Sequence, residues 1–250
     1  MTTLTLFEAP GHRNVLVDEP GSADECAEQS NQHLIIHEKS AILLDPSGEQ
    51  ALGKVREQLG NARLESLFLS HQDADIVASV GGWLRSTDAI AWASNLWLRF
   101  IPHCGLDGVR LERLKGIPDQ GMVLNLSGLQ LVVLPAHFLH SPGNFQLYDP
   151  VSKILYSGDL GASIVDACDD VKDFEQHRPS MEGFHRRFMA SGRSMRAWAK
   201  MARTLDIEII APQHGRHFKG KAMVDRFISW CEQLECGVDL VDSMYRVPTR

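Results

Sequence analysis

The residues of this chain best suited to metal chemistry lie in one short polar segment. That segment, Ser70 to Ile76, reads SHQDADI and follows the apolar residues Leu67 to Leu69. It places one imidazole and two carboxylates, those of His71, Asp73 and Asp75, at the predicted end of a strand. Two carboxylates held close together repel each other unless a cation lies between them. The segment therefore predicts one half of a metal site.

Three further residues of ligand type follow later apolar runs. His140 begins the sequence HSPGN, Asp159 lies in SGDLG, and His214 lies in QHG. Each stands beside Gly, Pro or Ser, which are common in the turns that end strands. Because functional side chains often lie on loops held by a rigid sheet, we expect these three residues to complete the site. Mixed imidazole and carboxylate ligands suit iron, manganese or zinc.

Composition and charge argue against several classes of function. The 250 residues carry a net charge of −7 and have an isoelectric point of about 5.9, so we expect no nucleic-acid partner. The apolar runs are too short to cross a bilayer, and the first residues lack the features of a signal peptide. The five cysteines form no CxxC pair, and an odd number argues against a disulfide framework. We expect a cytoplasmic protein with no membrane partner.

The apolar patterns predict mainly strands in the first part of the chain and helices in the second. The predicted strands are His33–His37, Ser40–Leu44, Ser66–Ser70, Ala89–Ser94, two within Gly121–Leu134, Phe145–Tyr148, Lys153–Tyr156 and Ile207–Ala211. The predicted helices are Glu49–Leu59, Val77–Arg85, Met181–Leu205 and Ala222–Leu234. Strands mixed with helices on both outer faces favour an α/β fold, a four-layer αββα sandwich. No repeat or linker divides the chain, so we expect residues 1–250 to form a single domain.

The four motifs, in this order, resemble the metallo-β-lactamase superfamily from about His33 to Lys221. Hydrolases of that superfamily usually carry HxHxDH in the first motif, whereas this chain has Asp73 in place of the second histidine and Ile76 in place of the last. A carboxylate at the middle position resembles the flavodiiron branch, whose usual pattern is HxExD. With FLHSPGNF and YDP farther along, the chain is similar to the oxygen-binding di-iron proteins, stand-alone relatives that lack a flavodoxin domain.

The resemblance implies the metallo-β-lactamase fold and two iron ions, Fe²⁺ or Fe³⁺, with a bridging oxo or hydroxo group and no FMN in this chain. Asp73 is one methylene shorter than the Glu of the family pattern, which changes the reach of that ligand. The implied ligands are His71, Asp73 and His140 for iron 1, Asp75 and His214 for iron 2, and Asp159 as the bridge between them.

Three more residues are expected around these ligands. Asp45, in the early Asp turn of this fold, could orient a ligand histidine through a hydrogen bond. His137, three residues before His140, is either a neighbour of the ligands or a partly exposed residue at a strand end. Ile76 cannot ligate a metal, so it either leaves a position of iron 2 open or packs the following helix, and the two interpretations are compatible.

The charge of the ligand set favours redox chemistry. Three carboxylates stabilise ferric over ferrous iron, and zinc would gain nothing from this because it does not change oxidation state. We therefore expect a non-haem di-iron protein that binds and reduces O₂, as an oxygen sensor or scavenger. It is a flavodiiron-like oxidoreductase if an external reductant supports turnover. The alternatives are an O₂ or NO reductase fed by a separate flavoprotein, and a metal-dependent hydrolase of a phosphodiester or thioester.

Two partners besides O₂ follow from this interpretation. Cycling needs an external electron donor, such as a flavoprotein or a rubredoxin-type protein, because the resemblance leaves no flavin domain in this chain. The apolar stripe of Met189, Met195, Trp198 and Met201 belongs either to the core or to the interface of a homodimer.

Overall fold

The structure is a computed structural model that describes residues 2–19, 29–104, 106, 111–165, 167–243 and 245–247. Its first sheet has seven strands, which lie side by side in chain order. The first four strands pair antiparallel, and the fourth to the seventh pair parallel. The strands are β1 (Thr3–Ala9), β2 (His12–Glu19), β3 (Ser30–His37), β4 (Ser40–Leu44), β5 (Arg63–Phe68), β6 (Ile90–Ser94) and β7 (Leu114–Ile117).

The second sheet has six strands from the second half of the chain. They are β8 (Met122–Leu126), β9 (Leu129–Pro135), β10 (Phe145–Asp149), β11 (Ile154–Gly158), β12 (Ile209–Pro212) and β13 (Phe218–Lys219). The spatial order is β13, β12, β11, β10, β9, β8, and the β11–β12 pair is parallel while the others are antiparallel. Each half of the chain therefore builds one sheet.

Helices cover the outer face of each sheet. The first sheet packs against α1 (Leu52–Leu59), α2 (Ala74–Val77) and α3 (Val80–Ser86). The second packs against α4 (Phe174–His177), α5 (Pro179–Phe188), α6 (Gly192–Ala202) and α7 (Lys221–Gln233). Short 3-10 turns occupy Glu49–Ala51, Ile101–His103, Leu111–Arg113 and Val238–Ser243.

A third core lies between the two sheets and completes the layers. On β4, Leu43 packs with the helices of the first half, whereas Ile42 and Leu44 pack with side chains of the second sheet, such as Phe145 and Leu147. This alternation follows from the two-residue period of a strand, and all five residues of β4 are buried because the strand is covered on both faces. The architecture is the predicted four-layer αββα sandwich.

Two pairs of predicted strands that follow each other in the sequence form hairpins, but the predicted helix from Val77 to Arg85 is not one element. β3 pairs with β4, and β10 pairs with β11, each antiparallel. The helix is interrupted at Ser79, whose N–H donates to the carbonyl of Ser47 at 3.1 Å and whose hydroxyl donates to that of Pro46 at 2.9 Å. These bonds to another loop replace the helical bond of that residue, so α2 and α3 are separate.

The predicted helix from Met181 to Leu205 is likewise two helices. Its interior residue Met189 has an extended backbone, the N–H of Ala190 donates to the carbonyl of Phe138, and Ser191 caps α6 by accepting from the N–H of Ser194. The apolar stripe proposed for this segment lies mainly inside the chain's own core. Met189, Met195 and Trp198 are buried, and Met201 is half-buried.

Several elements were not predicted from the sequence, namely the β1–β2 hairpin, β7, β13 and α4. In β2, six of the eight residues from His12 to Glu19 are buried, so its pattern does not alternate as a half-exposed strand would. Among the described residues, no helix is long and apolar enough to cross a membrane. The described cysteines, Cys104, Cys168, Cys231 and Cys236, are free thiols, and Cys26 lies outside the described residues.

Candidate metal centre

The structure brings together all six side chains that were expected to bind metal. The first sheet supplies three and the second sheet supplies three. The six come from four segments that follow strands: after β5 (His71 and Asp73 in the loop, Asp75 in the first turn of α2), after β9 (His140), after β11 (Asp159) and after β12 (His214).

Asp159 lies at the centre of the group, with its two carboxylate oxygens facing different histidines. Its Oδ2 lies 2.9 Å from Nε2 of His140 and 3.5 Å from Nε2 of His71. Its Oδ1 lies 3.7 Å from Nε2 of His214. One carboxylate that faces two separate sets of imidazoles has the geometry of a bridging ligand.

The other two carboxylates divide between those sets. Asp73 Oδ2 lies 3.7 Å from Nε2 of His71 and 3.5 Å from Nε2 of His140, and ligand atoms of these three residues lie within 4.8 Å of one another. Asp75 Oδ2 lies 3.1 Å from Nε2 of His214. The side chains of Asp73 and Asp75 are 39% and 46% exposed, so the group opens to solvent on their side.

The carboxylates create a strongly negative field at the buried imidazoles. Burial is the largest effect on His71 and disfavours its charged form, but the charge and hydrogen bond of Asp159 and the charges of Asp73 and Asp45 together outweigh it and raise the pKa of His71 to about 9. Burial also disfavours the charged form of His214. The hydrogen bond to Asp75 and the charge of Asp159 act in the opposite direction and contribute to a pKa of about 9. The same imidazoles hold the pKa of Asp159 well below its usual range despite its burial. The centre therefore attracts cations.

Two buried atoms of the centre have no hydrogen-bond partner among the described residues. They are Nε2 of His71 and Oδ1 of Asp159, which are both metal-ligating atoms. Buried polar atoms in folded proteins are nearly always paired, because leaving one unpaired is unfavourable. Metal ions between the two sets of side chains would pair both atoms, and three nitrogens with three carboxylates are suitable donors for two such ions. The residues present therefore fit a two-metal site.

Hydrogen bonds behind two of the histidines fix the direction of their rings. Nδ1 of His71 lies 2.9 Å from the hydroxyl of Ser70, and Nδ1 of His214 donates to the carbonyl of Gln29 at 2.6 Å. In both cases Nε2 is left facing the centre. Partners of this kind orient histidine ligands and hold the tautomer that can bind a metal.

Asp45 does not have the contact expected of it, whereas His137 lies partly exposed just after the end of β9, as one of its two interpretations had it. Asp45 accepts a hydrogen bond from the N–H of Ser70 at 2.7 Å, so it fixes the backbone beside His71 and not an imidazole. Burial raises the pKa of Asp45 to about 6. His137 hydrogen-bonds through Nε2 to the carbonyl of Asp119 at 2.7 Å and packs edge-on against the ring of Phe145, 5.2 Å between ring centroids.

Ile76 is fully buried and packs in the core between the first sheet and its helices. The packing interpretation is therefore confirmed. Its aliphatic side chain offers no ligand atom at the position where the superfamily pattern has a histidine.

Two glutamines that were not predicted from the sequence hold the exposed carboxylates. Gln72 Nε2 donates to Oδ1 of Asp73 at 2.8 Å, and Gln213 Nε2 donates to Oδ2 of Asp75 at 3.1 Å. One signal was available, because Gln72 directly precedes Asp73 and Gln213 directly precedes His214. This signal was weak, since polar residues are common in any loop at the end of a strand.

An aromatic pair on α5 covers the outer side of His140. The rings of Phe184 and Phe188 stack at 4.7 Å between centroids, and both meet the imidazole of His140 edge-on, at 6.2 and 5.8 Å. Phe188 is 53% exposed, so this side of the centre is shielded by a single apolar layer.

Comparison with known proteins identifies the family. A family model described as ODP family beta lactamase matches residues 29–215, which is well over half of the chain. The chain belongs to the ODP family. The chemotaxis sensor ODP, solved as a peroxy diiron species, is 35% identical to this chain over 98% of this chain and 100% of that one, with a TM-score of 0.86. No curated protein sequence matches significantly.

A second solved structure agrees with this membership, and a more distant one shares the fold. The apo state of the chemotaxis sensor ODP from T. denticola is 36% identical over 98% of this chain and 99% of that chain, with a TM-score of 0.85. Rubredoxin oxygen:oxidoreductase from Desulfovibrio gigas shares the fold at 12% identity, with a TM-score of 0.76 over 92% of this chain and 61% of that chain. The fold is thus the metallo-β-lactamase fold of the ODP and flavodiiron proteins, as the motifs predicted.

Proposed function

We propose that this protein is a non-haem di-iron protein that binds and reduces O₂ and acts as an oxygen sensor or scavenger. The observation that carries the proposal is the position of Asp159, whose two oxygens face two separate sets of ligand atoms. The similar ODP protein, solved as a peroxy diiron species, is a chemotaxis sensor, and this likeness supports sensing over scavenging.

In the ligand assignment that we propose, one iron is held by the first set of side chains and the other by the second, with Asp159 shared. Bound ferrous ions would each supply one electron to O₂ and become ferric. The three carboxylates lower the cost of the ferric charge, since each adds a full negative charge near the metals. The proposed ligands are His71, Asp73 and His140 on one side, Asp75 and His214 on the other, and Asp159 between them.

The chain's own residues also give O₂ a place to approach. Asp75 is nearly half exposed, and Ile76 offers no ligand, so the set around His214 holds fewer protein atoms than the set around His71. Phe184 and Phe188 shield the opposite side beside His140. We infer that O₂ enters on the Asp75 side.

The electrons for repeated turnover would come from a separate donor, such as a flavoprotein or a rubredoxin-type protein. The chain spans 61% of the rubredoxin oxygen:oxidoreductase chain that it resembles, and that relative's name supports a rubredoxin-type donor. A second candidate function follows from the same likeness, namely an O₂ or NO reductase fed by such a donor. The two functions differ in rate, because a reductase turns over rapidly with its donor whereas a sensor is reset slowly.

Three further parts of the proposal concern the whole protein. We propose that residues 1–250 act as one domain in the cytoplasm, which the free thiols of the described cysteines support. A homodimer has less support than the sequence suggested, because Met189, Met195 and Trp198 of the apolar stripe are buried and Met201 is half-buried. Light scattering at micromolar concentration tests it, and a monomer would contradict it.

The test of the main proposal is reconstitution with ferrous iron under argon. We expect two irons per chain, a nearly colourless protein, and new near-ultraviolet and visible absorption on exposure to O₂. The oxidised state should persist until a reductant is added. Zinc-loaded protein is the control and should stay colourless. A protein that binds zinc in preference to iron, ignores O₂ and cleaves a phosphodiester or thioester would contradict the proposal and support the hydrolase.

A further inference from the structure

We propose that Gln72 and Gln213 are positioning residues that hold the two outer carboxylates for iron and set the reduction potential of the pair. This inference rests on the proposed di-iron function and deepens it. Asp73 and Asp75 are 39% and 46% exposed, whereas the bridging Asp159 is buried. An exposed carboxylate rotates freely unless a donor fixes it, and each outer carboxylate here has one amide donor.

Gln72 joins two of the ligand loops. Its Nε2 donates to Oδ1 of Asp73 at 2.8 Å, and its Oε1 accepts from the hydroxyl of Ser141 at 2.6 Å. Ser141 directly follows His140, and its own backbone N–H donates to the side chain of Asn144. One amide thus ties the loop of Asp73 to the loop of His140. The bond to Oδ1 leaves Oδ2, the oxygen nearer both histidines, facing the centre.

Gln213 holds Asp75 from a buried position. It is 1% exposed, its backbone N–H donates to the carbonyl of Gly158, and its backbone carbonyl accepts from the N–H of Asn31. Its side-chain Oε1 is buried without a hydrogen-bond partner among the described residues. An aliphatic side chain would avoid that unpaired atom, so folding alone does not account for an amide here. Donation to Asp75 does account for it.

A hydrogen bond to a ligand carboxylate changes the metal as well as the geometry. The donor withdraws negative charge from the carboxylate, so the carboxylate stabilises ferric iron less and the reduction potential is higher. Removing the donor should therefore lower the potential. Replacing it with a carboxylate should lower the potential further, because a new negative charge then lies beside the ligand.

The experiment compares two kinds of variant. Gln72→Met and Gln213→Met keep the length of the side chain but remove the hydrogen-bond donor. Gln72→Glu and Gln213→Glu keep the shape of the side chain and add a negative charge. Each is loaded with ferrous iron under argon and titrated electrochemically. We expect iron to bind about 10- to 100-fold more weakly in the Met variants. We expect the midpoint potential to fall from wild type to Met to Glu at each position.

The matched control is Gln130→Met, at an exposed position on β9. It should have the iron affinity and potential of the wild type, and circular dichroism should show that every variant is folded. Ser141→Ala should shift the potential in the same direction as Gln72→Met but by less. In this variant Gln72 loses the hydrogen bond from the Ser141 hydroxyl but keeps its own bond to Asp73.

The outcomes separate this inference from the proposed function. If the wild type loads two irons and reacts with O₂, but the Met and Glu variants keep its potential, the positioning role is wrong and the di-iron function stands. A loss of affinity without any change in potential also overturns it, since that result indicates a purely structural role. If the wild type does not bind iron, both proposals fall.

Discussion

Two buried aspartates of this protein have histidine neighbours, but their surroundings differ. Asp149, at the end of β10, accepts through Oδ2 from His12 Nε2 at 2.8 Å, from Asn14 Nδ2 at 2.8 Å and from the Ser152 hydroxyl at 2.7 Å. Its Oδ1 accepts from the N–H of Val151 at 3.0 Å. Asp159, just after β11, has three imidazoles around it and an Oδ1 without a hydrogen-bond partner among the described residues.

The difference shows what distinguishes a metal site from a structural network. Both carboxylates are almost completely buried, 0% exposed for Asp149 and 5% for Asp159, and in both the pKa is held below its usual range against the effect of burial. Neutral donors and His12 saturate the oxygens of Asp149, so no cation is needed there. Asp159 Oδ1 and the neighbouring Nε2 of His71 lack hydrogen-bond partners among the described residues, and such unpaired ligand atoms fit metal ions.

The strongest test of this contrast is Asp159→Ala. The substitution removes the residue shared by both sets of ligand atoms, so we expect iron loading to fall from two irons per chain to well below one. Iron content after reconstitution and desalting measures this. Asp206→Ala, which removes an exposed partner of Lys153, is the control and should load normally. Full loading in Asp159→Ala would contradict the assignment of the bridge.

The reciprocal substitution, Asp149→Ala, should affect stability and leave iron binding unchanged. The substitution removes the hydrogen-bond acceptor of three buried side chains, those of His12, Asn14 and Ser152. We therefore expect the free energy of unfolding to fall by about 3–5 kcal/mol. Urea denaturation of the metal-free protein measures this, with Asp206→Ala again as the control. The contrast between the two aspartates fails if Asp149→Ala loses iron while its stability is unchanged.

A third environment, that of His217, sharpens the comparison, because no carboxylate of the described residues forms a hydrogen bond with this imidazole. It is fully buried, and neither ring nitrogen has a hydrogen-bond partner among the described residues. Burial lowers its pKa from 6.5 to about 4. Between these pH values the unfolded chain binds a proton that the folded chain does not, so stability is lost as the pH falls through this window.

We therefore expect His217→Leu to reduce the acid sensitivity of the metal-free protein. The wild type should lose at most about 3 kcal/mol more than the variant between pH 6.5 and pH 4, because one pKa unit corresponds to about 1.4 kcal/mol. Denaturation at a series of pH values measures the difference. Equal acid sensitivity of the two proteins would show that His217 is protonated or hydrated in the folded state.

The smallest expected effect concerns the open side of the centre. Ile76→His would add an imidazole where the chain has none, so we expect the reaction with O₂ to slow several-fold once both irons are loaded. Stopped-flow absorption measures the rate. Ile76→Val is the matched control and should keep the rate while losing about 0.5–1.5 kcal/mol of stability through the cavity that it leaves. An unchanged rate in Ile76→His would indicate that O₂ reacts elsewhere.

The grouping of the six proposed ligands could be predicted because they lie just beyond apolar strands. The runs before His71, Asp159 and His214 indicate strands, and strand ends converge at one edge of a sheet. The glutamines could not be predicted in the same way, because the bonds of Gln72 and Gln213 depend on loops that meet in the folded protein.

The two helices that were predicted as single elements were wrong for the same reason, namely bonds between distant parts of the chain. The interruption at Ser79 results from bonds to Pro46 and Ser47, and the one before Ser191 follows a bond between Ala190 and Phe138. A sequence pattern of helical period does not contain these long-range partners.

The division of the ligands between the two halves of the chain has a consequence for how the protein unfolds. The strands of the first sheet begin at Thr3 and end at Ile117, and those of the second begin at Met122 and end at Lys219. The proposed ligands from one half can meet those from the other only after the sheets have docked, so we expect metal to bind only the assembled sandwich. Iron bound by these residues would act as a reversible cross-link across the sandwich: it would stabilise the assembled form in proportion to the logarithm of the free iron concentration and slow the separation of the halves.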